Sequence, residues 1–299
     1  MRKSIGLMLA ATLVSSGSAK PREVRHLAPS SQWVVNWADQ SCSLGRAFGE
    51  GDHKVTLFFD QFEPGDNFNL MVAGKRIDEV EGWPAAAVQF GPNEEPSEAT
   101  AVGAKTNDTP AIIFQGGQRI APLTKVEKIA RRKNAEDGPP FEPAPIGPAR
   151  EKAATWLLIS KIQHFDLLLD TGPMDAPLVA LRDCSWDMVK SWGLDVEQQK
   201  HLSAKAYPTM PAYKWFSEND YPTAMLKSGS QAIVNFRVLV DATGKPTACQ
   251  IQTSTRPKAF DDVVCANIMK RARFHPALSA AGKPVPSFWR QTVNFRLAM

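Results

Sequence analysis

The sequence lacks the signatures of the common catalytic centres. It contains no GxSxG elbow, HExxH pair, phosphate loop or GxGxxG turn, and no Ser/His/Asp set clusters along the chain. Its five histidines, His26, His53, His164, His201 and His275, are scattered, and no cysteines are spaced as CxxC, so no metal-ligand pattern exists. Neither sign of charge dominates. The 35 Lys and Arg against 31 Asp and Glu give +4 over 299 residues, too mild a balance for a counterion-driven nucleic-acid binder. Long apolar runs are absent beyond residue 20, and no repeat of solenoid length is visible. No enzyme activity, metal or cofactor is therefore expected. With 43% hydrophobic and 22% charged residues the chain should fold, and at roughly 150 residues per domain two domains are expected.

The single apolar run lies at the start. Arg2 and Lys3 precede an apolar core from Ile5 to Val14, followed by small residues up to Ala19. This reads as a secretory signal peptide over residues 1–19, since the core is about half of the ~20 residues that a transmembrane helix needs. No cysteine follows it, which argues against a lipoprotein. Cleavage after Ala19 leaves an exported chain of 280 residues beginning at Lys20, with the charge moved from +4 to +2.

Export to an oxidising compartment lets Cys42, Cys184, Cys249 and Cys265 pair as structural bridges in any of three ways. Their placement favours Cys42 with Cys184 and Cys249 with Cys265. Charge divides the chain at the same place as composition: from Tyr207 onward there are 12 Lys and Arg against 5 Asp and Glu, so residues 20–206 carry −5. Two units are expected, joined near residues 195–220.

The first unit, residues 20–200, reads as mainly β. The runs SQWVVNWADQSCSLGRAFG, HKVTLFFDQF and FNLMVAGKRI are rich in aromatic and β-branched residues and are separated by Gly, Pro and Asp turns. ATWLLIS and HFDLLLD suggest a further strand pair. The segment MDAPLVALRDCSWDMVKSWG is helix-like and ends on Gly193, with Leu178, Leu181, Trp186, Met188 and Trp192 as core candidates. The proline-rich loop at 138–149 reads as a stiff spacer, and the basic stretch KVEKIARRKN before it as a solvated helix face.

The second unit begins with a short helix after Tyr221-Pro222. In the strand AIVNFRVLV, Ala232, Val234, Phe236, Val238 and Val240 share one face and Asn235 and Arg237 the other, the pattern of a half-buried strand. A DATGK turn then leads into PTACQIQTS as a hairpin. The helix KAFDDVVCANIMKRARF presents Phe260, Val264, Ile268 and Ala272 at steps of four, with acids near its start and cations near its end. The adjacent Asp261 and Asp262 point about 100° apart and form no acid–base pair. FWRQTVNFRL closes the chain.

Tyr221-Pro222, the VNFRVLV strand, the DATGK hairpin, the SxxxxxFD helix start from Ser254 to Asp261, RARFHPA, GKPV and the final VNFRL occur in an order and spacing that resemble the C-terminal domain of the TonB family. The resemblance covers about residues 215–299. It implies an α+β chain in which a small domain at 207–299, an antiparallel three-stranded sheet packed on helices, follows the mainly-β one. Cys249 and Cys265 fit the disulfide-bearing variant of that domain.

The resemblance further implies a periplasmic protein that grips an extended segment of outer-membrane TonB-dependent transporters and receives work from inner-membrane proton-motor proteins. The last strand of a small sheet leaves one row of backbone groups open to strand addition, which makes Arg290, Gln291, Thr292, Val293, Asn294, Phe295 and Arg296 the expected peptide site. Arg290, Thr292, Asn294 and Arg296 would favour an acidic or polar peptide, and the alternative is an edge blocked by the N-terminal domain or by a second copy of the chain. Family members typically carry a membrane anchor and a long proline-rich spacer. This chain is expected instead to have a cleavable signal, a short spacer and a folded domain in front, and it carries Ala232 in place of the usual Gly. A periplasmic scaffold without energy coupling is the alternative function.

Overall fold

The computed structural model describes residues 22–297, except 138, 140 and 256, and only the backbone of 134–137. The expected signal peptide and its cleavage point lie outside the described residues. The first half of the chain forms ten strands: β1 Glu23–Leu27, β2 Val34–Trp37, β3 Cys42–Phe48, β4 Val55–Gln61, β5 Phe68–Gly74, β6 Ala85–Gly91, β7 Ser97–Thr106, β8 Thr109–Gln118, β9 Trp156–Ser160 and β10 Phe165–Leu169. They join in one sheet of order β1-β10-β9-β6-β7-β8-β5-β4-β3-β2, antiparallel except where β1 runs parallel to β10.

The two ends of this sheet meet. After β1 the chain continues alongside β3: Pro29 bridges Phe48, the Ser30 N–H donates to the Ala47 carbonyl at 2.8 Å, and the Gly49 N–H donates to the Ala28 carbonyl at 2.9 Å. The sheet is thus closed into a barrel, whose interior is filled by inward-pointing apolar side chains such as Leu44, Leu57, Phe59, Leu70, Phe114 and Leu157. In β4 the alternation is complete, with Val55, Leu57 and Phe59 inward and Thr56, Phe58 and Asp60 partly exposed. Burial of each large apolar side chain contributes roughly 1.5–3 kcal/mol.

Three helices decorate the barrel: α1 Lys125–Asp137, α2 Pro148–Ala153 and α3 Asp175–Ser191. Leu178, Leu181, Met188 and Trp192 of the α3 segment are buried in the barrel core and Trp186 packs against it, and the helix stops at Gly193, whose φ of +81° suits a residue without Cβ. Strands β6, β7 and β8 were not anticipated from the sequence. The proline-rich spacer reading is corrected as well. The described part of 138–149 lies on the barrel: Ile146 is buried, its N–H donates to Asp66 at 2.8 Å, Arg119 donates to the Ala144 carbonyl at 2.8 Å, and Pro148 already opens α2. Backbone groups that find partners on the barrel hold the loop down, whatever its proline content.

Beyond α4 Val196–Lys200 the chain builds a second sheet. A short strand, β11 Tyr207–Pro208, and helix α5 Thr223–Lys227 lead into β12 Ala232–Val240 and β13 Pro246–Ser254. Helix α6 Lys258–Arg271 follows, then β14 Phe274–His275, β15 Ala277–Leu278, β16 Pro284–Val285 and β17 Ser287–Phe295. The three long strands are antiparallel in the order β13-β12-β17, which makes the chain α+β as expected. Gly244 of the β12–β13 turn sits at φ +82°, and a Cβ there would lie 1.9 Å from the Phe274 carbonyl oxygen, so only glycine fits. On one face of the sheet Phe260, Val264, Ile268 and Ala272 are fully buried, forming a second core with Val234, Phe236 and Val238.

Both expected disulfides are present. Cys42 at the start of β3 is bonded to Cys184 of α3, across 142 residues of sequence, and Cys249 of β13 to Cys265 of α6, across 16. The short loop contributes about 3 kcal/mol by the chain-entropy argument and the longer one somewhat more. Replacing Cys42 and Cys184 together by Ala is expected to cost about 2–5 kcal/mol in urea unfolding. A loss under about 1 kcal/mol, within the range of an ordinary surface change, would contradict this role.

Candidate functional site

The expected peptide site, β17, is an edge strand whose only strand partner among the described residues is β12. Which of its backbone groups face outward follows from the register. Ile233 of β12 stands opposite Asn294, yet its N–H donates to Thr255 Oγ1 at 3.0 Å and its carbonyl accepts from the Thr255 N–H at 3.1 Å, on the β13 side. Ile233 and Asn294 are therefore a non-hydrogen-bonded pair. Because such pairs alternate in an antiparallel ladder, Phe288, Arg290, Thr292 and Asn294 turn both N–H and C=O to the open edge, while Trp289, Gln291, Val293 and Phe295 bond to β12. The Thr292 N–H is met at 3.1 Å by the side-chain oxygen of neighbouring Gln291, which occupies the position a partner strand's carbonyl would take. Gln291 and Asn294 are exposed.

The side chains of β17 divide between two bodies. Trp289 packs edge-on to Phe236 and Trp215 at ring-centroid distances of 5.8 and 5.6 Å, within the α6 core. Phe295 is buried and meets Phe260 at 4.7 Å, and Tyr221 stands edge-on to both rings at 5.6 Å while its hydroxyl donates to the Ser230 carbonyl. Tyr221 thereby braces the end of the edge strand. The opposite face does not look into solvent. Arg290 pairs with Glu63 at 3.3 Å and lies over the Phe62 ring, Thr292 donates to Asn235 Oδ1 at 2.5 Å, and Arg296 stacks over Trp83 at 3.7 Å. Of the four side chains expected to meet a peptide, those of Asn294 and Arg296 are exposed, Arg296 over the Trp83 ring.

The half-buried reading of β12 is corrected here: eight of its nine residues are buried, Asn235 and Arg237 included. The barrel covers the second face. Arg237 lies over Trp192 with its guanidinium carbon 4.0 Å from the ring centroid, and Trp192 also meets Phe288 edge-on at 5.0 Å. Burial lowers the Arg237 pKa to about 10, and its Nε and Nη1 atoms have no hydrogen-bond partner among the described residues. Gln252 of β13 donates to the carbonyls of Phe62 and Gln40 at 2.7 and 3.1 Å, and Ser287 donates to Gln199 at 2.6 Å. Glu63, Trp83 and Trp192, which complete this surface, lie 102 or more residues before Asn294 in the sequence, and nothing there linked them to the final strand.

A clamp fixes the start of the small domain. The Arg271 guanidinium donates to both Asp220 oxygens, at 2.7 and 3.0 Å, and to the Trp215 carbonyl at 2.7 Å. Asp220 also accepts from the Ser217 N–H and hydroxyl, and these donors hold its carboxyl far below the usual carboxylate range.

Elsewhere among the described residues the clefts hold no converging catalytic set. A cleft of about 560 Å³ beside α3 and α4 is lined by Asp183, Asp187, Asp195, Glu197 and Trp186, and Lys200 already sits there, 2.8 Å from Glu197 and 5.6 Å from the Trp186 ring. Among the described residues no group of His, Cys, Asp and Glu is arranged to hold a metal, and no helix is long and apolar enough to cross a membrane.

Residues 217–297 match the family described as the Gram-negative bacterial TonB protein C-terminal. The matched stretch begins at the Ser217–Asp220 turn and ends just after β17, and so takes in the Asp220–Arg271 pair, the three-stranded sheet and α6. The small domain is thus similar to the C-terminal domain of TonB, whose family serves energy transduction in transport. No curated protein matches the chain.

The clamp predicts a pH dependence of stability. A carboxyl whose pKa is lowered by folding stabilises fully above its unfolded value near 4, and that contribution fades as the pH falls towards the lowered folded value. Asp220→Asn should cost about 1 kcal/mol at neutral pH and flatten the acid limb of the stability curve. Urea midpoints measured from neutral pH down to about pH 3 check this, and an unchanged acid limb in the variant would count against the clamp.

Proposed function

We propose that the open edge of β17 accepts an extended segment of an outer-membrane transporter by strand addition, and that the chain acts in the periplasm as a TonB-type coupling module. The observation that carries this reading is the row of N–H and C=O groups of Phe288, Arg290, Thr292 and Asn294, turned outward on a strand braced from behind by Tyr221 and Phe260. A preformed edge lowers the ordering cost to that of the incoming peptide. Each main-chain hydrogen bond adds about 0.5–1.5 kcal/mol net, so a short added strand binds weakly and reversibly, as a cyclic event requires. With Arg290 and Arg296 engaged by Glu63 and Trp83, specificity rests on the backbone, Gln291 and Asn294 rather than on a cationic face. Work from inner-membrane proton-motor proteins would reach the edge through the body of the chain.

One observation favours a second reading, a periplasmic scaffold without energy coupling: the barrel holds the face of the sheet that a free-standing module would leave bare. The two readings differ in whether the edge binds peptide.

The Asn294 N–H faces the open edge, so Asn294→Pro removes a donor the added strand needs and leaves the β12 ladder intact. Titration of the chain with transporter N-terminal peptides should show saturable binding in the parent and none in this variant, with similar thermal midpoints. Val293→Pro, whose N–H bonds to β12, should instead destabilise the fold. Absence of binding by the parent at millimolar peptide rejects strand addition in favour of the scaffold.

A further inference from the structure

Helix α1 stands apart from both cores. Its start is fixed by a capping box: Glu127 Oε2 accepts from the Thr124 N–H and hydroxyl at 2.8 Å each, and Thr124 Oγ1 accepts from the Glu127 N–H at 3.2 Å. The other oxygen of Glu127 accepts from the Ala144 N–H at 3.2 Å and ties the helix to the loop on the barrel. Only Glu127 and Ala130 are partly buried between Lys125 and Lys133. Every other side chain of that stretch is exposed, Val126 at 76% and Ile129 at 56%.

Two properties of that exposed surface belong together. Lys125, Lys128, Arg131, Arg132 and Lys133 supply five cations, and among the described residues none is in an ion pair. The one carboxylate of the stretch, Glu127, is turned to the body, and acidic residues return only at Glu136 and Asp137. Val126, Ile129 and Lys133 follow one another at helical spacing as an apolar stripe ending in a cation, and Lys125, Lys128 and Arg132 form the stripe beside it. A 13-residue helix solvated on most sides is marginal on its own in water, so a surface that pairs with it also stabilises it.

We propose that α1 is a docking element for an anionic lipid surface, lying in the interface with Val126 and Ile129 at the headgroup boundary and the flanking cations against lipid phosphates. Charge alone would suit any polyanion, and the exposed apolar pair beside the cations favours lipid. The membrane would hold the chain peripherally, an attachment that needs no spanning helix among the described residues.

Co-sedimentation of the chain from Lys20 onward tests this, with the apolar N-terminal segment removed so that only the folded body is read. Vesicles of equal parts phosphatidylglycerol and phosphatidylcholine should bind it, vesicles of phosphatidylcholine alone should not, and high salt should release it. Each cation close to such a surface raises partitioning about fivefold, so the combined K125Q/K128Q/R131Q/R132Q variant should lose more than about a hundredfold at an unchanged thermal midpoint. V126S/I129S should weaken binding by a smaller factor and leave its salt dependence intact. Equal binding to neutral vesicles, or binding that the fourfold variant retains, would overturn the proposal. Retention on a DNA duplex without binding to phosphatidylglycerol vesicles would also overturn it and make the partner a soluble polyanion.

Discussion

The contact on which the arrangement of this chain depends is the covering of the second face of a three-stranded sheet by the barrel. A sheet of three strands and one long helix buries a single face, and the other would carry Asn235, Arg237, Gln252, Arg290 and Thr292 into water. Here that face is closed by Trp192, Phe62 and Glu63, which leaves β12 buried on both sides. The closure is polar in its details. Gln252 satisfies two barrel carbonyls and Ser287 is held by Gln199. Arg237, by contrast, is stacked on an indole with two nitrogens unpaired. The burial of this guanidinium with no carboxylate is offset by its cation–π contact with Trp192, and its desolvation lowers the pKa to about 10. The interface therefore fixes orientation more than it maximises stability.

That covering accounts for what could and could not be read in advance. Alternation in AIVNFRVLV marks a strand correctly, yet the polar partners Asn235 and Arg237 are what a half-buried strand shows, and the sequence carries no record of a second body 45 residues earlier. The helix α6 was legible because four apolar residues at steps of four all face one core, and both bridges because each cysteine lies where a strand and a helix cross. Strands β6, β7 and β8 were not, since AAAVQFG, SEATAVGAKT and TPAIIFQGGQ are built largely of small residues, Gly and Pro that weaken a strand signal. Their strand state comes from the neighbours that pair with them in the closed barrel.

The candidate site was half legible in the same sense. A final strand at the end of a small sheet is an edge by position, but which groups face outward depends on a hydrogen bond between Ile233 and Thr255 that only the folded register reveals. The side chains named with the edge separate only in part by parity: Val293 and Phe295 enter the α6 core while Gln291 is exposed, and of the four even ones Arg290 and Arg296 reach the barrel. What the edge leaves outward is its row of backbone groups, with the side chains of Gln291, Asn294 and Arg296 exposed beside it.

A backbone edge of this kind has a mechanical consequence. Tension on an added strand would pass through β17 into a nine-residue register with β12, and from β12 into both its faces. On one face the load meets α6, tied to β13 by Cys249–Cys265; on the other it meets the barrel through Arg237, Gln252 and Arg290. A free-standing sheet would tend to peel strand by strand, whereas here shear must disturb a disulfide-linked core and a polar interface together. A weak, reversible step of strand addition would thus be confined to the outermost ladder, in front of a disulfide-linked core and a polar interface.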